Sequence, residues 1–315
     1  MKSLVTGTAG FIGSTLTEKL LKEGHQVIGV DCFIDYYDRS LKENNINSFI
    51  DHESFTLIEE NINELDLKSL LEDVDYVFHQ AAQAGVRSSW GEDFEIYTHN
   101  NIMGTQRLLE AARRSNIKKF VYASSSSVYG DTNKLPMKEK NRLQPVSPYG
   151  VSKLAGENLC YLYYKNFNVP TVSLRYFTVF GERQRPDMAF HIFIKAILKD
   201  NKLTIFGDGK QSRNFTHVDD IVRANILAAK SDVEGEIFNI GGDGKRVVLN
   251  DAINLMEKII GKKANREYNQ VVKGDVKHTS ADTSKAKKLL NYEPKIKFED
   301  GLKKEINFLK NLYSK

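Results

Sequence analysis

Cysteine is scarce in this sequence of 315 residues, whose two cysteines, Cys32 and Cys160, lie far apart. A disulfide framework or a zinc cluster needs more cysteines at suitable spacings, so we expect neither of them. A chain of this length can bury a core large enough to fold without such cross-links. The length corresponds to roughly two domains of ordinary size, or to one large domain with an appendage.

Long hydrophobic runs and a large excess of one charge are also missing. No apolar stretch approaches the roughly 18 residues of a transmembrane helix, so we expect no membrane span. The 45 lysine and arginine residues and the 41 aspartate and glutamate residues leave a net charge of +4. That charge does not indicate a nucleic-acid-binding protein. The opening residues MKSLVTG read as a β-strand and not as a signal peptide, so we expect a cytoplasmic protein.

Short β-rich segments alternate with longer amphipathic segments along the chain. The pattern predicts strands at residues 3–5, 26–30, 55–58, 75–79, 119–123, 171–176 and 236–240. It predicts helices at residues 11–22, 92–114, 148–167, 188–198 and 249–260. Alternation of this kind builds a parallel sheet with helices on both faces.

The alternation loosens after Gly181, where turn-rich loops interrupt the helical segments. We therefore predict an α/β fold with a Rossmann-type, doubly wound parallel sheet and a second, smaller lobe. The Rossmann domain is assigned to residues 1–178 together with roughly 214–242. Residues 179–213 and 243–315 are assigned to the smaller, mostly helical C-terminal lobe.

The first predicted strand leads into a glycine-rich loop, GTAGFIG, that opens a helix. Its glycines, Gly7, Gly10 and Gly13, permit a tight turn, close approach of a pyrophosphate and close packing of helix on strand. The start of the helix, with Phe11 and Ile12, offers backbone N–H groups and a partial positive charge to phosphates. We therefore predict a dinucleotide-binding site at this loop.

Asp31 follows the second predicted strand, at the place where a carboxylate hydrogen-bonds the ribose hydroxyls of a dinucleotide. A carboxylate here also repels a 2′-phosphate, so NAD is predicted in preference to NADP. Asn61 and Ile62 come after the third strand and are predicted to frame the adenine ring.

Tyr149 and Lys153 are four residues apart at the start of a predicted helix, which places both side chains on one face. A free tyrosine is a poor base at neutral pH, but an adjacent ammonium and a cationic nicotinamide ring favour the phenolate. Lowering the tyrosine pKa by about three units requires roughly 4 kcal/mol, which a close cation in a dry pocket can supply. Ser125, and next Ser126, end the fifth strand and can hydrogen-bond a substrate oxygen. These four residues are the predicted catalytic set.

Together these motifs resemble those of the extended short-chain dehydrogenase/reductases, and among them the nucleotide-sugar 4-epimerases. The resemblance covers nearly the whole chain. Besides the glycine loop and Asp31, it is carried by HQAAQ at 79–83, NIMGT at 101–105, SSSSVYG at 124–130, SPYGVSK at 147–153, LRYFTVFG at 174–181, NFTHVDD at 214–220, FNIGG at 238–242 and SADTSKAKKLL at 280–290.

The resemblance implies an enzyme that oxidises C4 of a UDP-sugar with a retained NAD and reduces the ketone from the opposite face. Tyr149 would remove the proton of the 4-hydroxyl, and Lys153 would hold the nicotinamide ribose and lower the pKa of Tyr149. The C-terminal lobe would bind UDP, and the helices at 92–114 and 148–167 would form a homodimer. The cofactor would also contact residues of the matching motifs, namely Ala81, Ala82, Asn101, Tyr149, Lys153 and Tyr176.

Related reactions on the same fold differ in the residues just before V-Y-G. The 4,6-dehydratases have an Asp-Glu pair there and the UDP-glucuronate decarboxylases have a glutamate, whereas this sequence has Ser126 and Ser127. Because serine cannot serve as a carboxylic acid, both reactions are disfavoured. A simple dehydrogenase and a non-catalytic NAD-binding protein remain alternatives, although the intact Ser125, Tyr149 and Lys153 favour an enzyme.

Two features point to different sugars. Thr279 stands at a family position that is bulky in epimerases restricted to plain hexoses, so a 2-acetamido group fits and UDP-N-acetylglucosamine is our first prediction. Arg185 and Thr178 resemble the UDP-glucuronate 4-epimerases, since an arginine can pair bidentately with a sugar carboxylate. UDP-glucuronate is therefore the second prediction, and UDP-glucose is the third.

Further substrate contacts are expected around the sugar and the diphosphate. Val272 stands where many relatives have an arginine, so Arg213 is predicted to bind the diphosphate. Arg87 is a second candidate for an anion contact, and Ser127 is predicted to contact the substrate. Asp275 is predicted to hold the uridine ribose.

Overall fold

The computed structural model describes residues 1–271, 274 and 276–314. The strands are β1 Lys2–Thr6, β2 Gln26–Val30, β3 Phe55–Ile58, β4 Tyr76–His79, β5 Lys119–Ser125, β6 Thr171–Tyr176, β7 Val179–Phe180, β8 Lys202–Phe206, β9 Ser212–Arg213, β10 Thr216–His217, β11 Glu236–Ile240, β12 Val247–Val248 and β13 Asn265–Asn269. The α-helices are α1 Phe11–Lys22, α2 Arg39–Ile46, α3 Leu67–Leu70, α4 Phe94–Tyr97, α5 Gly104–Ala112, α6 Pro148–Phe167, α7 Ala189–Leu198, α8 Val218–Lys230, α9 Leu249–Ile260, α10 Ser284–Leu290 and α11 Phe298–Tyr313. Short 3₁₀ turns lie at Arg87–Ser89, Gly91–Asp93 and Ser126–Tyr129, and a π-helix lies at Thr98–Met103.

A seven-stranded sheet with the order β11-β6-β5-β4-β1-β2-β3 forms the centre of the molecule. All of its strand pairs are parallel. The strand order reverses between β1 and β4, and at such a point a crevice opens beyond the carboxyl ends of the strands. This architecture confirms the predicted Rossmann-type fold.

Apolar side chains cover both faces of the sheet. Adjacent residues of a strand point to opposite faces, and the neighbours Leu4 and Val5 in β1 belong to two different apolar cores. One core packs α1 and α8 against the sheet, with Leu16 and Ile221 at its centre. The central strands β4, β5 and β6 are buried on both faces, as is usual in a parallel sheet, although β6 also carries Ser173 and Arg175.

One predicted helix differs from the structure. The sequence pattern predicts a single helix over residues 92–114, whereas the structure divides this stretch into α4, the π-helix and α5. Within the π-helix, Asn101 accepts the backbone N–H of Gln83 and donates to the Gln83 carbonyl and the Ser152 hydroxyl. The spacing of apolar residues cannot reveal a short π-helix, because one wider turn leaves the buried and exposed faces of the helix nearly unchanged.

A third apolar core contains no residue of the seven-stranded sheet. It is formed mainly by α7, α9, α11 and β8, and Phe190, Ile253 and Ile306 lie at its centre. The chain returns to the sheet before this core is complete, since α8 packs on α1 and β11 pairs with β6. The exact division into the two domains remains a prediction.

The described part of the chain contains no disulfide, no cluster of metal-binding side chains and no membrane-spanning helix. Both cysteines are free, Cys32 exposed and Cys160 buried. No cluster of three or more His, Cys, Asp or Glu side chains suited to a metal ion occurs among the described residues. None of the helices within the described ranges has the length and hydrophobicity to cross a membrane.

Candidate active site

A cleft of about 1180 Å³ opens at the carboxyl ends of the central strands. Parallel strands present their carboxyl ends at the same edge of a sheet, so the loops that follow them meet there. The lining of this cleft includes most of the predicted cofactor-binding residues, namely Gly7, Gly10, Phe11, Ile12, Gly13, Asp31, Asn61, Ile62, Ala81, Ala82, Tyr149, Lys153 and Tyr176.

Two glycines of the loop between β1 and α1 have no room for a side chain. Gly7 has φ +72°, and a Cβ on it would lie 2.9 Å from the backbone of Ala81. A Cβ on Gly13 would lie 1.9 Å from the Gly7 carbonyl oxygen. No described side chain caps the first amides of α1, whose first turn carries no acidic residue. This cradle of backbone N–H groups fits the pyrophosphate of NAD.

Asp31 is buried at the end of β2 and has a lysine partner. It accepts hydrogen bonds from the N–H groups of Ala9 and Phe33 at 3.1 and 2.9 Å and from Lys42 Nζ at 3.2 Å. The Lys42 ammonium also lies 5.5 Å from the centre of the Tyr37 ring. A carboxylate has about four lone-pair sites, so Asp31 keeps an acceptor for a ribose hydroxyl. Lys42 carries no signal in the sequence as a site residue, because only the fold of the chain brings α2 to Asp31.

Helix α6 begins where its sequence carries strong start signals. The Ser147 hydroxyl caps the Gly150 N–H at 3.1 Å, and Pro148 occupies the first helical turn. A Cβ on Gly150 would lie 2.8 Å from the Ser127 carbonyl oxygen, so the helix packs directly on the 3₁₀ turn at Ser126–Tyr129. The start of α6 therefore has a fixed position relative to the serines that follow β5.

Tyr149 and Lys153 lie in the same cleft but experience different charges. Lys153 donates to the Ala123 carbonyl at 2.8 Å, and burial lowers the pKa of its ammonium to about 7. Burial raises the pKa of the Tyr149 phenol, and the charge of Arg185 and a hydrogen bond with Ser125 oppose that rise. Arg185 is therefore a second cation that favours the Tyr149 phenolate, and the expected effect of Lys153 stays a prediction. A bound cationic nicotinamide would favour the phenolate further.

A second cavity, of about 570 Å³, is lined in part by the 3₁₀ turn at Ser126–Tyr129, which we call the serine turn. Five predicted catalytic or substrate-binding residues line it, namely Ser126, Ser127, Thr178, Arg213 and Thr279. Ser125 connects it to the first cleft, because its hydroxyl is hydrogen-bonded to Tyr149 and lies 3.1 Å from the Ser127 hydroxyl. Thr279 Oγ1 is buried and has no hydrogen-bond partner among the described residues. Ser125 thus links the lining of this cavity to Tyr149.

Arg185 lines the first cleft together with Tyr149. Its Nε and Nη2 atoms each donate to Asp187 at 2.9 Å. Asp187 in turn accepts a hydrogen bond from the Tyr36 hydroxyl at 3.3 Å. A guanidinium has five N–H donors, so Asp187 orients Arg185 without occupying all of them. The arrangement can accept a carboxylate from a substrate.

Among the described residues of the predicted site, Ser125, Asn101 and Arg87 line neither cavity. Asn101 is buried and held by the contacts described above, and its neighbour Asn100 lines the first cleft instead. The Arg87 guanidinium stacks on Phe206, 4.5 Å from the ring centre. Asp275, like Val272, lies outside the described residues.

The chain is similar to several known proteins over almost all of its length. The NAD dependent epimerase/dehydratase family model matches residues 3–241. The chain is 50% identical to the uncharacterized UDP-glucose epimerase YtcB of Bacillus subtilis, over 99% of each chain. It is 44% identical to the UDP-glucuronate 4-epimerase of Thermodesulfobacterium geofontis, over 98% of this chain and 95% of that one. The crystal structure of the Bacillus cereus UDP-glucuronic acid 4-epimerase, in complex with UDP-glucuronic acid and NAD, is 49% identical and has a TM-score of 0.96, over 99% of this chain and 100% of that one.

Proposed function

Since this chain belongs to the NAD dependent epimerase/dehydratase family and is an NAD-dependent UDP-sugar 4-epimerase, we propose that its preferred substrate is UDP-glucuronate. The observation that carries the proposal is the position of Arg185 in the wall of the cleft that holds Tyr149. A guanidinium there can form a bidentate pair with a carboxylate at C5 of the sugar. The similarity to two UDP-glucuronate 4-epimerases supports the same substrate.

The residues of the site divide binding and proton transfer between them. Tyr149 removes the proton of the sugar 4-hydroxyl and later returns it, while Ser125 orients the reacting oxygen. NAD, when bound, supplies the reversible hydride chemistry at C4. Lys153 binds the nicotinamide ribose. Arg213 holds the diphosphate, so that the 4-keto sugar can turn about it and present its opposite face.

UDP-N-acetylglucosamine is the second candidate, and Thr279 is the observation that favours it. Its side chain is small, and its buried hydroxyl could hydrogen-bond an acetamido group. The size of Thr279 alone makes this sugar the first prediction from the sequence. The position of Arg185 beside Tyr149 reverses that order, because neither an acetamido sugar nor glucose offers the guanidinium a carboxylate.

The substrate proposal is tested by comparing kcat/KM for the three UDP-sugars with one preparation of the purified protein. We expect the value for UDP-glucuronate to exceed the other two by about tenfold or more, as loss of one charged contact is worth over 1.4 kcal/mol. A higher value for UDP-N-acetylglucosamine would contradict the proposal and favour the role of Thr279.

We also propose a cytoplasmic homodimer formed through α6 and the helical segments beside it. Val151 and Leu162 lie eleven residues, or about three turns, apart on one face of α6, and they are 45% and 49% exposed. Ile96 and Met103, on segments that pack against α6, are also exposed. Grouped apolar side chains on a surface are typical of an interface with another protein chain.

A further inference from the structure

A fully buried ion pair lies directly behind the catalytic residues and has no place in the proton transfer described above. It joins Glu157 of α6 to Arg175 of β6, and both side chains are almost completely buried. The pair is bidentate: Arg175 Nε donates to Glu157 Oε2 at 2.9 Å, and Nη2 donates to Oε1. A buried ion pair adds little stability compared with apolar side chains of similar size, so stability alone is a weak reason for this one.

On the glutamate side, the pair attaches the catalytic helix to the end of β5. Glu157 is two turns beyond Tyr149 and one turn beyond Lys153, so the three side chains share a face of α6. Glu157 Oε2 accepts a hydrogen bond from the Ser124 hydroxyl at 2.8 Å. Lys153 Nζ donates one to the carbonyl group of Ala123, also at 2.8 Å. Two successive residues of β5 are therefore bonded to α6, immediately before Ser125.

On the arginine side, the pair holds the far end of the serine turn. Arg175 Nη1 donates to the Tyr129 hydroxyl at 2.8 Å and to the Glu139 carbonyl. The Tyr129 hydroxyl then donates to Asn239 Oδ1 of β11 at 2.7 Å. Tyr129 is the last residue of the 3₁₀ turn that carries Ser126 and Ser127. Arg175 thus contacts both the catalytic helix and the turn.

From these contacts we infer that Glu157, Arg175 and Tyr129 are positioning residues that fix the distance between Tyr149 and the serines at 125–127. They touch neither the cofactor cleft nor the second cavity. They act through the two elements that carry the reacting groups. A misplacement of about 1 Å between such groups can cost about 100-fold in rate, so a small drift of the turn is sufficient to slow the reaction.

Tyr129→Phe is the sharpest test, because it removes one hydroxyl and leaves the ring and the ion pair in place. We expect kcat to fall about 10- to 100-fold, with KM for the UDP-sugar unchanged within about threefold and bound NAD retained. Hydrogen exchange of the amides at 124–130 should rise as well, which reports the turn without any need for turnover. The assay uses whichever UDP-sugar the wild-type chain converts fastest, so the inference does not depend on the preference for glucuronate.

Tyr163→Phe is the matched control on the same helix. The Tyr163 hydroxyl lies far along α6 and bonds to Gln106 and Glu110, so its loss should leave kcat within about twofold. Glu157→Gln keeps the shape of the side chain and provides a second test if Tyr129→Phe does not fold. The inference would be overturned if either variant kept the wild-type kcat, or if the control lost as much activity. An inactive wild type would contradict the proposed function instead, and the exchange measurement would still decide the positioning role.

Discussion

Replacement of Arg185 by glutamine should weaken the turnover of UDP-glucuronate far more than the turnover of UDP-glucose. A hydrogen bond to a charged group contributes about 1.5–3 kcal/mol. Because Asp187 already occupies two N–H groups of Arg185, we take about 2–3 kcal/mol for the contact with the sugar carboxylate. At about 1.4 kcal/mol per factor of ten, that is a loss of about 30- to 150-fold in kcat/KM. UDP-glucose has no carboxylate and is spared this loss.

A second effect of Arg185 is common to both sugars. Its charge lowers the pKa of Tyr149, so the substitution should raise that pKa and reduce activity at neutral pH for either substrate. The quantity to measure is therefore the ratio of the two kcat/KM values, recorded from pH 7 to pH 9. We expect the ratio to fall by the full 30- to 150-fold at each pH, while the common loss becomes smaller as the pH rises.

Arg183→Gln is the matched control for this experiment. Arg183 belongs to the same loop but pairs with Glu18 at 2.6 Å and does not line the cleft. It should leave the ratio of the two sugars unchanged. If Arg185→Gln lowered both kcat/KM values by the same factor, Arg185 would act on Tyr149 alone, and the case for a carboxylate contact would be lost.

Three further outcomes follow from the structure. Tyr149→Phe should lower kcat by about 10²–10⁴-fold while the purified protein still carries NAD, measured by releasing and quantifying the nucleotide; wild-type turnover would remove Tyr149 from the mechanism. Burial opposes the ionisation of Glu257, but its hydrogen bonds to two cations and a backbone amide lower its pKa from 4.5 to about 2. The stability that Glu257 contributes is therefore complete above pH 4.5 and is lost as the pH falls toward 2. Glu257→Gln should therefore cost about 1–3 kcal/mol in urea unfolding at pH 7, with a smaller difference near pH 3; an equal cost at both pH values would contradict this origin. Light scattering should give a dimer for the wild type and a monomer for Val151→Asp combined with Leu162→Asp, and a monomeric wild type would exclude the proposed interface.

Local sequence patterns predict most of the sheet because the central strands are rich in β-branched and aromatic residues and are buried along almost their whole length. The six residues of β6, for example, are all buried, and the predicted bounds coincide with the observed ones. The π-helix is different, since the side chain of Asn101 organises it through contacts with residues far away in the sequence. Its effect is to place Asn100, and not Asn101, in the lining of the cleft.

The parts of the site that follow directly after strands are also readable from the sequence. The glycine loop and Asp31 come at the ends of β1 and β2, and both line the cleft. Lys42 and Tyr36 line it too, but they belong to a loop and helix with no recognisable motif. Tyr36 reaches Asp187, which is 151 residues away. Such contacts depend on the tertiary fold, so spacing in the sequence gives no signal for them.

The most direct test of the account is proton NMR of the purified protein with UDP-glucuronate in D₂O, with no NAD added. We predict that the 4-epimer accumulates and that the hydrogen at C4 is retained, because hydride leaves and returns to the same carbon within one turnover. Conversion would also show that the chain keeps its cofactor. Deuterium at C4 would contradict the mechanism. The proposed substrate would be contradicted if UDP-glucuronate stayed unchanged while another UDP-sugar was converted. It would also be contradicted if no UDP-sugar was converted even with NAD supplied.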